Sequence, residues 1–135
     1  MPVAARSVVQ VRTDVDVVAA REAGRALAAD VGFTRTELVL LATAVSEVAR
    51  NIVRHAGAGC VELAPVREGR RAGIRIIARD SGPGIADLGQ ALEIGFSTAR
   101  GLGLGLPACQ TLMDQFDIVS APGEGTTVEM TKWLE

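Results

Sequence analysis

Residues 34–57 constrain this chain most. TRTE, residues 34–37, is a capping box: a threonine and a glutamate three residues apart satisfy two of the free N–H groups at a helix start. Behind it Leu38, Leu41, Val45, Ala49 and Ile52 recur at spacings of three and four, the stripe of a helix buried along one side. The pattern predicts a helix to about His55, stopped at Gly57. Such a stripe needs a surface to cover it, and the remaining segments read mostly as strands. CVELAPV (60–66) and GIRIIARD (73–80) flank the turn REGRRA, and FDIVSA (116–121) and TTVEMTKW (126–133) close a hairpin around PGEG. SVVQVR (7–12) is a further short strand, and a helix capped by Asp14 runs to about Val31, with Gly32 as its stop. A short helix over residues 87–93 and another from Pro107 to about Phe116 complete the expected elements. Together they predict an α/β two-layer sandwich: one domain over residues 1–135, a mixed, mostly antiparallel sheet, and helices on one face.

Several function classes are disfavoured at once. The net charge of −2 gives no electrostatic reason to expect nucleic acid or an anionic membrane. Aromatic residues are only 3 %, so a base-stacking surface is not expected. Cys60 and Cys109 lack metal-ligand spacing and fit a reducing cytoplasm. No stretch is long enough for a signal peptide or a membrane span.

Three stretches carry chemistry. In SEVARNIVRH, Glu47 and Asn51 lie four apart and share a helix face, roughly opposite the apolar stripe. A solvated helix face is the commoner meaning of such a pair. The functional one is a carboxylate able to take a proton beside an amide oxygen suited to Mg²⁺, which binds few protein groups and keeps waters and phosphate oxygens. His55 lies a turn further on, where a lone histidine is more often a surface or capping residue than a catalyst. In GIRIIARDSGPGI, alternation puts Ile74, Ile76, Ala78 and Asp80 on one face. An apolar row thus ends in a carboxylate that could accept from an exocyclic amine, with Gly82 and Gly84 allowing close backbone approach. A plain Asp-Ser-Gly turn is the commoner meaning there. In GFSTARGLGLGLP (95–107), Gly101, Gly103 and Gly105 alternate with leucine ahead of a helix start. Free N–H groups and the helix dipole there would suit phosphates. A P-loop is excluded, because the only lysine is Lys132.

In this order and at these separations, the three stretches resemble the N box and the two glycine boxes of the GHKL ATP-binding superfamily, whose fold is the Bergerat fold. The likeness runs from about Val8 to the end. With LMDQF (112–116) and KWLE (132–135) it is closest to the serine/threonine kinases that switch partners in the bacterial stressosome, and it extends to the anti-sigma-factor kinases. The resemblance implies Mg-ATP as cofactor, with Glu47 as catalytic base and Asn51 as the Mg²⁺ ligand. It implies Asp80 at the adenine amine, Gly82 and Gly84 shaping that wall, and Thr126 helping at the adenine. Gly101, Gly103 and Gly105 would line the triphosphate, residues 95–100 would form a lid over ATP, and Ser97, Thr98 and Arg100 become candidates for phosphate contacts. It further implies STAS-domain substrates, a PP2C-type phosphatase activated by docking, and a cytoplasmic protein that uses neither nucleic acid nor membrane. A sensor histidine kinase would need a phosphoacceptor histidine on a dimerising helix, and the only histidine is His55, inside the N box. Two alternatives stay open: an anti-sigma-factor serine kinase that binds a sigma factor, and a non-catalytic nucleotide-binding switch.

Overall fold

A computed structural model describes residues 6–84 and 105–134. Among the described residues, five strands form one sheet in the order β1-β2-β3-β5-β4. They are β1 (Ser7–Val11), β2 (Gly59–Glu68), β3 (Arg71–Asp80), β4 (Gln115–Ser120) and β5 (Thr126–Trp133). Every pairing among the described residues is antiparallel, so no parallel pair appears where a mixed sheet was expected. Alternation sorts the two faces as the pattern requires. Val61, Leu63, Ile74, Ile76, Ala78, Val128 and Met130 are buried toward the helices. Arg75, Arg79, Asp117 and Glu129 sit on the opposite, exposed face. There Glu62 takes ion pairs from both Arg6 and Arg79.

Helices α1 (Asp14–Val31) and α2 (Arg35–Asn51) pack on each other and on the inner face of the sheet. Thr13, not Asp14, is the N-cap of α1, because Thr13 is the last residue with extended backbone, φ −135° and ψ 170°. The carboxylate of Asp16 accepts from the N–H groups of Arg12 at 2.9 Å and Thr13 at 3.1 Å. These bonds to the charged form, the Arg12 one first, hold its pKa below the ordinary value. The expected box at the start of α2 is present. Glu37 N–H donates to Thr34 Oγ1 at 3.2 Å, and Thr34 N–H to Glu37 Oε1 at 2.8 Å.

Two elements depart from the sequence pattern. Residues Ile52–Ala56 form a π turn that continues α2, closed by a 2.8 Å bond from Gly57 N–H back to Ile52 O. Helix α3 (Leu106–Leu112) stops short of Phe116 because Met113 is already extended, φ −102° and ψ 154°. The β2–β3 connection is also tighter than REGRRA suggested, since Glu68 and Arg71 already pair and only Gly69 and Arg70 turn. The helix expected over residues 87–93 lies outside the described residues. No helix among the described residues is long and apolar enough to cross a membrane.

Candidate functional site

A cavity of about 230 Å³ opens between the end of α2, its π turn, and the adjoining ends of β3 and β5. Its apolar walls are Val48 and Ile52 from the helix, Ala78 and Val128 from the sheet, and Leu106 from α3. Asn51 and His55 add polar groups from the helix side, and Asp80 and Thr126 from the sheet. Asp80 and Thr126 face each other across β3 and β5, so register brings carboxylate and hydroxyl together. The Thr126 hydroxyl is also 2.8 Å from the Ser120 hydroxyl on β4. Apolar walls with a few convergent polar groups suit a small-molecule ligand. A carboxylate accepts only, so it selects a ligand edge that donates, such as an amine.

Beyond β3 the chain makes an Asx turn: Asp80 Oδ1 accepts from Gly82 N–H at 2.9 Å. The other oxygen, Oδ2, makes no hydrogen bond among the described residues and is the one left for a ligand. Gly82 packs behind the cavity, where an added Cβ would come within 2.6 Å of the Ala56 Cβ on the π turn. Gly84 lines the cavity with Pro83. At φ +77° it also lies so close to Ala121 O that no side chain fits. Pro83 O accepts from Gly123 N–H at 2.7 Å, which ties this loop to the β4–β5 turn.

Glu47 does not line this cavity. It borders a neighbouring groove with Arg21 and Arg25 of α1 and Arg50 of its own helix. Its Oε1 accepts from Arg50 Nη1 at 2.9 Å. Its Oε2 rests on the backbone of Gly105, the N-cap of α3, where a built Cβ would overlap that oxygen. Gly105 has φ +63°, a left-handed conformation. Beneath lies Cys109, a buried thiol 3.7 Å from Ala44 O. Burial, and then the nearby Glu47 charge, push its pKa up to about 12, so it stays a neutral thiol. Gly105→Ala is expected to cost about 1–2 kcal/mol in backbone strain alone and to displace the Glu47 carboxylate. Urea denaturation measures the first effect, and unchanged stability would contradict this geometry.

The structure therefore brings Asn51, Asp80, Gly84 and Thr126 to one cavity and sets Glu47 and Gly105 together one helical turn away. The Glu47–Asn51 face is not a solvated one: the Glu47 side chain is 23 % exposed, and Asn51 lies in the cavity wall. His55, read from sequence as surface or cap, is half-buried in the same wall. Arg50, the π turn and the wall residues Val48 and Leu106 were not singled out by the sequence, whereas Ile52 and Ala78 stand in the apolar rows read from it. A charge three residues from Glu47 was the one available signal for Arg50. Ser97, Thr98, Arg100, Gly101, Gly103 and the lid over residues 95–100 lie outside the described residues.

The profile of the histidine kinase-like ATPase domain family matches residues 10–132. Over 129 residues the chain is 45 % identical to the serine/threonine-protein kinase RsbT of Bacillus subtilis, covering 96 % of this chain and 97 % of that protein. It is 34 % identical over 121 residues to the anti-sigma F factor of a Thermoanaerobacter species, covering 85 % and 83 %. It is 35 % identical over 122 residues to that of Pasteuria penetrans, covering 86 % and 81 %. The antiparallel sheet backed by helices on one face accords with that family's α/β domain. The chain thus belongs to the histidine kinase-like ATPase (GHKL) family, within its branch of serine/threonine-protein kinases.

Proposed function

We propose that this kinase transfers the γ-phosphoryl group of Mg-ATP to a Ser or Thr of a STAS-domain partner in a cytoplasmic stress-response module. Released from that partner, it activates a PP2C-type phosphatase by docking. The observation that carries the reading is the pairing of an Asp80–Thr126 cavity with Glu47 and Asn51 on consecutive turns of one helix. In this reading the whole chain, residues 1–135, is one ATP-binding kinase domain.

Each residue then has a task. Asp80 accepts a hydrogen bond from the adenine amine through Oδ2, while Gly82 N–H fixes Oδ1. Thr126 presents its hydroxyl to the same base edge, and Gly82 and Gly84 shape that wall. Asn51 holds Mg²⁺ through its amide oxygen, a hard donor. Among the described residues no group of three His, Cys, Asp or Glu could cage a metal, and Mg²⁺ needs no such cage, since it takes phosphate and water oxygens. When bound, the ion supplies charge neutralisation to the phosphates. Gly101, Gly103 and Gly105 line the triphosphate, with Ser97, Thr98 and Arg100 at its oxygens. Glu47 takes the proton of the acceptor hydroxyl as the new O–P bond forms.

The test is transfer of label from γ-labelled ATP to purified STAS-domain proteins. Phosphoserine or phosphothreonine on a partner is the expected product. ATP binding with no transfer to any acceptor would favour the nucleotide-dependent switch instead. The anti-sigma F factor relatives support a second reading, in which the partner is a sigma factor. Co-purification with a sigma factor would favour it.

A further inference from the structure

The geometry points to Arg50 as a positioning residue that aims Glu47 at the acceptor hydroxyl. This inference rests on the reading of Glu47 as the base. The two carboxylate oxygens have separate neighbours: Oε1 is bound by Arg50 Nη1 at 2.9 Å, and Oε2 is set against Gly105. No other side chain among the described residues is hydrogen-bonded to Glu47. Arg21 and Arg25 line the same groove from α1, but neither bonds to it. Cys109, below, is a neutral thiol and offers no competing charge.

A glutamate has three rotatable side-chain bonds, and this one is partly exposed. A base must sit within hydrogen-bond reach of the proton it takes. A misplacement of about 1 Å can cost on the order of 10²-fold in rate. An i,i+3 ion pair contributes too little to matter for the fold. It is enough to bias a rotamer, and the Gly105 backbone limits where the other oxygen can go. During transfer Glu47 Oε2 gains the hydroxyl proton, the acceptor O–P bond forms, and the bond between the γ-phosphorus and the bridging oxygen breaks. ADP leaves with that oxygen, and Arg50 stays protonated throughout.

The experiment is a double-mutant cycle on the full chain: Glu47→Ala, Arg50→Ala and the pair, with Arg50→Lys as the conservative variant. Two single-turnover rates are read with γ-labelled ATP, transfer to a STAS-domain partner and hydrolysis to water, which needs no partner. Calorimetry gives ATP affinity. Arg50→Ala is expected to lower the transfer rate about 10–100-fold with ATP affinity unchanged, and Arg50→Lys to recover part of it. The double variant is expected to be no slower than Glu47→Ala, because Arg50 has nothing left to position. An Arg50→Ala rate equal to wild type beside an inactive Glu47→Ala would overturn the role of Arg50 alone. So would losses that multiply in the double variant, which would mean that Arg50 acts independently of Glu47. A wild-type rate in Glu47→Ala would overturn the base itself, and this inference with it.

Discussion

Glu47→Gln is expected to fold, to bind Mg-ATP like the parent chain, and to lose phosphotransfer by about 10²–10⁴-fold. The substitution keeps length, and its amide oxygen can still accept from Arg50, but it removes the basicity. Glu47 lies outside the cavity proposed to hold the nucleotide base, so the loss should fall on the rate and not on ATP affinity. A serine or threonine hydroxyl is a poor nucleophile unless its proton leaves as the bond forms. Single-turnover label transfer at saturating ATP measures this directly. If Glu47→Gln phosphorylates its partner at the parent rate, then metal and positioning carry the chemistry and Glu47 does not.

The second large effect is expected at Asp80. In Asp80→Asn the amide oxygen can keep the bond from Gly82 N–H, which leaves the NH₂ group where Oδ2 stood. A donor would then meet the donating amine of adenine. Hydrogen bonds to a charged group contribute about 1.5–3 kcal/mol, so ATP should bind roughly 10–100-fold more weakly. GTP, which has a carbonyl in place of that amine, should lose much less. Calorimetry with both nucleotides is the measurement. Equal losses for ATP and GTP would place the base edge elsewhere in the cavity.

Arg50 and Gly105 join Glu47 in one small cluster, and this separates the two kinds of defect. Variants at Asp80 and Thr126 should act on nucleotide affinity. Variants at Glu47 and Arg50 should act on the chemical step. A chain in which both groups changed affinity alone would be a nucleotide-dependent switch.

Much of the fold was legible because its signals are local and periodic. The TRTE box and the stripe from Leu38 to Ile52 predicted α2. Alternation in GIRIIARD predicted the inner face of β3, and with it the alignment of Asp80 with the core. Asp14 was misread as a cap because Thr13 and Asp14 are both capping residues, and only the backbone angles separate them. The tightness of the β2–β3 turn was missed for a similar reason: arginines on both sides of Gly69 hide strand residues among apparent turn residues.

By itself the sequence determined the elements, their apolar faces and the three chemically loaded stretches, because helical and strand periods are written at neighbouring positions. Only the tertiary structure decided which of those residues meet. Asp80 and Thr126 are 46 positions apart, and strand register alone joins them. Glu47 and Asn51 share a helix side in the sequence, yet the fold sends one to a groove and the other into the cavity. The π turn, the walls from Val48 to Leu106, and the Gly105 backbone against Glu47 arise where α2, α3 and the sheet converge. Contacts of that kind depend on how elements pack in three dimensions, and no periodicity along one element encodes them.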